Sequence, residues 1–131
     1  MTRTKWYNWA GNQMCSPKKI LSPKTEEELI TIVKDAISSN SKVKAIGSGH
    51  SFTGTALTDG ILLDLSQYRE ITDIDREKNL VTVQTGKKLE DLSPELWDHG
   101  LSMSDLGDIA YQSVGGAMST GTHGTGLSFG C

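Results

Sequence analysis

Residues 45–54 read AIGSGHSFTG, and the fold turns on what this stretch does between two apolar segments. Val43 to Ile46 reads as a short strand; Gly47 and Gly49 flank Ser48, and His50, Ser51 and Phe52 follow. Glycine permits positive φ, so a strand that runs into such a loop can turn backbone N–H groups toward an anion. An imidazole is not needed for that task. His50 is either incidental or touches the same ligand.

Upstream, PKTEEELITIVKDAISSN (23–40) predicts a helix. Thr25 is the expected N-cap, with Glu28 at capping-box spacing and acidic residues filling the first turn. Leu29, Ile30, Val33, Ala36 and Ile37 form the expected apolar stripe, and Ser38, Ser39 and Asn40 end it. Lys19 to Ser22 predicts a short strand. Residues 1–17 read as irregular, with Trp6, Tyr7 and Trp9 pinning the N-terminal segment against the body of the protein.

Downstream, the turn signal Asp59–Gly60 precedes a buried strand over 61–66. Residues 70–75 and 79–85 predict a hairpin joined by Arg76, Glu77 and Lys78. Residues 88–99 predict a second helix in which Pro94 is either tolerated or marks a restart after Ser93, with Gly100 as its stop. This order of elements predicts an α+β domain with mixed β-sheets and flanking helices.

The last quarter differs in texture. Residues 106–130, LGDIAYQSVGGAMSTGTHGTGLSFG, hold seven of the 14 glycines, and Asp108 is the one formal charge. Such composition suits a flexible tail. Against that, Ile109, Val114, Ala117 and Met118 punctuate it, so SVGGAMS (113–119) predicts a short helix. Its glycines alternate with serine and threonine, as where backbone and hydroxyl donors approach a polar ligand. The wall of a ligand site is the better reading.

Several classes drop out. TGTHGTG (120–126) has no lysine where the phosphate-binding GxxxxGK[ST] loop needs one. Gly47-Ser48-Gly49-His50-Ser51-Phe52 lacks the third glycine of the dinucleotide fingerprint, and TGTALTDG after it is poor helix material. Thirteen basic against 16 acidic residues, scattered along the chain, offer no patch for nucleic acid or an anionic membrane. Cys15, Cys131 and the three histidines have no metal-ligand spacing, and neither a metal site nor a disulfide is expected. MTRTKWYNWAGNQ has no apolar leader core and no stretch is long enough to span a bilayer, so a cytoplasmic location is the default.

Taken together, GSGHSF (47–52), DGILLDLS (59–66), the hairpin and LGDIAYQSVGGAMSTGTHGTG (106–126) resemble the FAD-binding domain of the vanillyl-alcohol-oxidase type, also called PCMH-type. Within it the chain is most similar to the sugar-lactone and alditol oxidases, whose NW-x-x-N opening matches NWAGN (8–12). The resemblance implies that Ile46, Gly47, Ser48, Gly49, His50 and Ser51 surround the FAD diphosphate, with His50 bonded to the flavin 8α carbon. It also implies that Asp108, Ser113, Gly116, Thr120, Gly121, Thr122 and His123 contact FAD. A serine is expected where Asp108 stands, and His123 is expected to pack through backbone rather than act as an acid or base. Gly107 matches a small residue thought to govern oxygen access.

The function so implied is oxidation of a CH–OH group of a sugar lactone or polyol, with oxygen as acceptor. The resembling enzymes are much longer. Residues 1–131 correspond to the N-terminal part of the FAD domain, truncated, with the substrate domain and all catalytic residues elsewhere or on a partner chain. A reductase of the same fold, like the enolpyruvyl reductase, shares the architecture without a matching GHS loop. A non-catalytic nucleotide-binding module is the rival of another class.

Overall fold

A computed structural model describes residues 4–130, and the chain forms two compact units, Met1–Tyr68 and Arg69–Cys131. Cys131 lies outside the described residues, and Cys15 is a free thiol.

The first unit is built on a three-stranded parallel sheet. Strands β1 (Trp6–Tyr7) and β2 (Met14–Cys15) form a small antiparallel ribbon ahead of it, where an irregular segment was expected. Strand β3 (Lys19–Leu21), helix α1 (Glu26–Ser38), strand β4 (Val43–Ile46) and strand β5 (Ile61–Asp64) follow. The sheet order is β3-β5-β4, all parallel. A parallel pair needs a crossover, and α1 supplies it between β3 and β4. The central strand β5 is flanked on both edges and covered on both faces, hence its unbroken Ile61-Leu62-Leu63, all buried.

Helix α1 begins as expected. Thr25 Oγ1 accepts the N–H of Glu28 at 3.2 Å, and Glu28 Oε2 reaches back to the N–H of Lys24 at 2.7 Å. It ends in a Schellman pair of bonds, Ser41 N–H to Ala36 C=O and Asn40 N–H to Ile37 C=O. Its buried face differs from the expected stripe. Leu29, Ile32 and Ala36 pack with Ile61, Leu63, Leu21, Val43 and Leu65, while Ile30, Val33 and Ile37 are exposed.

The second crossover, residues 47–60 between β4 and β5, contains GSGHSF and a single 3-10 turn at Gly54–Ala56. The loop therefore leaves the C-terminal end of a parallel strand, the end at which such sheets bind ligands.

The second unit pairs β6 (Ile71–Asp75) with β7 (Leu80–Val83) in the expected hairpin. Asp75 Oδ1 accepts the N–H groups of Glu77 and Lys78 across its turn. The backbone N–H of Lys78, then its ammonium, hold the Asp75 carboxyl below its ordinary value. Helix α2 (Leu89–Asp98) runs through Pro94 without a restart and buries Leu89, Leu92 and Leu96. It stops at Gly100 as expected; the His99 carbonyl accepts a bond from Arg76 at 2.8 Å. Helix α3 (Val114–Ser119) is the short helix expected in the glycine-rich quarter.

Lys87 is 5% exposed, and its ammonium meets Glu95 Oε1 at 2.5 Å. Removing the carboxylate strands a buried ammonium. Glu95→Ala is expected to destabilise the chain by about 2 kcal/mol in urea unfolding, near the middle of the range for a lost bond to a charged group. An unchanged midpoint would mean that water replaces Glu95 without cost.

Candidate functional site

The GSGHSF loop is held by the segment that precedes the sheet. Trp9 donates its backbone N–H to Gly49 C=O at 2.8 Å. Asn8 Nδ2 donates to Ser51 C=O at 3.0 Å, and Asn12 Nδ2 and Gln13 Nε2 both donate to Phe52 C=O, at 3.1 and 3.2 Å. Asn8 is itself fixed: Oδ1 accepts the N–H of Gln13, and Nδ2 also reaches Asn12 Oδ1. In a trans peptide the C=O and the following N–H point in opposite directions. With those three carbonyls drawn to the N-terminal segment, the N–H groups of His50, Phe52 and Thr53 are directed away from it.

Gly49 makes this approach possible. Its φ is +68°, and a Cβ there would lie 3.2 Å from Trp6 Cζ2 and 3.6 Å from the Trp9 nitrogen. Ile46 is buried at the end of β4, and Gly47 is exposed. Ser48 Oγ is buried without a hydrogen-bond partner. A buried hydroxyl left unsatisfied is costly, and a ligand acceptor would relieve it. The His50 ring is stacked on Trp9, with centroids 5.0 Å apart and planes 20° apart.

In the second unit, residues 110–115 lie along 85–90. Leu89 N–H bonds to Gln112 C=O, Glu90 N–H to Ala110 C=O, Val114 N–H to Lys87 C=O and Gly115 N–H to Thr85 C=O. Ser113, 3% exposed, caps α3 through Oγ to the Gly116 N–H. After the helix, Thr122 N–H returns to Ala117 C=O, and Thr122 Oγ1 accepts from Gln112 Nε2 at 3.0 Å. Thr120 Oγ1 donates back to Gly116 C=O. Thr120, Gly121 and His123 are exposed. His123 Nδ1 lies 2.8 Å from Gly124 C=O; because a carbonyl only accepts, Nδ1 carries the proton.

Asp108 is exposed, while Asp105 is the carboxylate set into the glycine turn. Asp105 Oδ1 accepts the N–H of Leu106, and Oδ2 is buried without a partner. A Cβ on Gly124 would clash with Asp105 Oδ1 and Leu106 C=O, so glycine is required for that close approach. Gly107 faces Thr122 and His123 in the same way, its would-be Cβ 3.0 Å from Thr122 Cγ2. The roles of Asn8, Asn12, Gln13 and Asp105 were missed from sequence.

A cleft of about 440 Å³ in the second unit is lined by Arg69, Glu70, Lys87, Asp91, Pro94, Glu95 and Asp98, and none of the expected site residues lines it. Among the described residues no three His, Cys, Asp or Glu side chains are placed to hold a metal ion, and no helix is long and apolar enough to cross a membrane.

Comparison with known proteins now bears on the two loops. The profile of the FAD binding domain family matches residues 17–130. The chain belongs to this family. As an FAD binding domain it is 43% identical over 124 residues to the L-gulono-1,4-lactone dehydrogenase of Mycobacterium tuberculosis, covering 95% of this chain and 29% of that protein. It is 38% identical to the L-gulonolactone oxidase of Mus musculus, over 96% of this chain and 29% of that one. Against the D-arabinono-1,4-lactone oxidase of Kluyveromyces lactis it is 36% identical, over 90% and 23%. The chain thus spans under a third of the curated relatives it matches. Its fold is that of a solvent-stable cholesterol oxidase, with TM-score 0.81, 24% identity and coverage of 95% of this chain and 25% of the other. A cholesterol oxidase from Brevibacterium sterolicum gives TM-score 0.79 at 22% identity, over 96% and 25%. These structures bear out the α+β, PCMH-type architecture. The residues fit the cofactor: Ser48 offers a buried donor, and the loop closed against the N-terminal segment offers backbone N–H groups.

Proposed function

We propose that this FAD binding domain serves an enzyme that oxidises a CH–OH group of a sugar lactone or related polyol, with dioxygen as acceptor. The buried, unpartnered Ser48 hydroxyl inside the clasped GSGHSF loop carries the cofactor side of this reading. The gulonolactone and arabinonolactone relatives support the substrate class. Their names divide between dehydrogenase and oxidase; Gly107 favours the oxidase.

Ile46 to Ser51 hold the diphosphate through backbone N–H groups and Ser48 Oγ. Gly107, Asp108, Ser113, Gly116 and Thr120 to His123 contact FAD, with His123 acting through backbone packing. His50 would hold the flavin through a bond from an imidazole nitrogen to the 8α carbon, with the imidazole N–H hydrogen, one 8α hydrogen and two electrons passing to dioxygen as hydrogen peroxide. When bound, FAD supplies the two-electron oxidation. The residues that accept the substrate's hydroxyl proton lie outside this chain.

Titration of the chain with FAD, followed by flavin fluorescence, tests the cofactor site. Ser48→Ala is expected to weaken binding roughly tenfold, the equivalent of one hydrogen bond to a charged acceptor. Equal affinity in the variant would remove Ser48 from the diphosphate site.

A further inference from the structure

Among the described residues Lys87 is the one charged side chain that is buried. Lysine is almost never buried unless its charge is paired, and here the ammonium meets Glu95 on the second turn of α2. The two partners are unequal. The Lys87 side chain is 7% exposed and that of Glu95 47%, because Glu95 opens onto the cleft. Desolvation offsets much of the attraction in such a pair, so an apolar contact would serve stability about as well. The geometry of the pair is another matter: an ammonium in the interior sits where its carboxylate is.

The backbone around Lys87 fastens the glycine-rich segment of the second unit. Lys87 C=O accepts the Val114 N–H at 2.8 Å, and Thr85 C=O accepts the Gly115 N–H at 2.9 Å. The approach is close, since a Cβ on Gly115 would lie 2.9 Å from Thr85 Cβ. Residues 84–88 lie between β7 and α2 and belong to neither. Gln84 ties their start to the hairpin: its N–H reaches Glu70 C=O at 2.9 Å, and its Oε1 accepts the Glu70 N–H at 2.8 Å. The Lys87–Glu95 pair ties the middle to α2.

We infer that Lys87 is a positioning residue for the glycine-rich loop. Its pair with Glu95 sets residues 84–88 against α2, and through the bonds to Val114 and Gly115 it places Ser113, Gly116 and Thr120 to His123. This rests on the flavin reading for what the loop does, but the two backbone bonds are a property of the chain without cofactor and are measured separately.

Amide hydrogen exchange on the full 131-residue chain without FAD decides it, using Lys87→Met and Glu95→Gln. Methionine keeps an unbranched stem without the charge and leaves a carboxylate that water already reaches, so the variant is mild for folding. Glutamine keeps an acceptor for the ammonium. Exchange at the Val114 and Gly115 N–H groups is expected to quicken roughly tenfold or more in Lys87→Met, the equivalent of one lost bond to a charged group. It is expected to stay near the wild-type rate in Glu95→Gln, and the amides of β6 and β7 to stay there in both variants. Unchanged rates at Val114 and Gly115 in Lys87→Met would overturn the inference. So would acceleration shared equally by the hairpin, the result for a pair that only stabilises. In a parallel titration Lys87→Met is expected to weaken FAD binding about fivefold, the scale of coupling through packed neighbours. Equal affinity in wild type and Lys87→Met would overturn the link to the cofactor. If wild type binds no FAD, the flavin reading fails, and the exchange rates alone decide the role of Lys87.

Discussion

Replacing His50 with alanine is expected to abolish flavin that survives acid precipitation while leaving reversible FAD binding in place. The two properties separate because different atoms serve them. On the proposed reading the diphosphate is held by backbone N–H groups of the loop, which keep their direction as long as Gly49, Ser51 and Phe52 carbonyls stay bonded to Trp9, Asn8, Asn12 and Gln13. The imidazole, on the proposed reading, makes the one bond that acid does not break. Visible absorbance is measured in the pellet and the supernatant after the chain, saturated with FAD, is precipitated. Wild-type colour is expected to stay in the pellet and His50→Ala colour to move to the supernatant. Colour retained in the variant's pellet would place the link on another residue.

Leu62→Ala is expected to cost the chain about 3 kcal/mol, from a range of 2–5 for buried leucines. Leu62 is 0% exposed on the central strand, paired with Ile20 on one side and Lys44 on the other. A strand fixed on both edges collapses poorly around a cavity, so most of the penalty is retained. That loss is a large share of the total stability of an ordinary domain. Urea unfolding should show a lower midpoint with an unchanged slope. The effect reaches the loop as well, since β4 holds its register on β5 and runs straight into Gly47. A cost below about 1 kcal/mol would mean that the site relaxes and that the sheet is looser than its packing implies.

Much of the scaffold was legible because strong local signals agreed with tertiary structure. Thr25 and Glu28 marked the start of α1, Gly100 the end of α2, and SVGGAMS the short helix α3. The face of α1 was not legible. Leu29, Ile32 and Ala36 share one spacing, and Ile30, Val33 and Ile37 repeat it one residue on. Periodicity ranks the two stripes equally; the side on which the sheet lies chooses between them. The ribbon of β1 and β2 was missed because two-residue strands carry no alternation to detect.

The site divides in the same way. Its glycine-rich loops were visible as composition and order. The clasp was not, because Asn8, Asn12 and Gln13 act on residues some 40 positions later through side-chain amides. The placement of Asp105 was not legible either, since only the folded turn brings it against Gly124 and Gly126. The sequence signal open to inspection was the pairing of a carboxylate with two downstream glycines, and spacing alone does not single that out.

The most direct measurement is a backbone amide NMR spectrum of the chain with and without FAD. Resonances of residues 47–53 and of 107–108 and 113–123 should shift on addition of FAD, while Ile61 to Asp64 inside the sheet stay in place. FAD that binds without moving the amides of either loop, or a spectrum that does not change at all, would contradict the assignment of these loops as the flavin site.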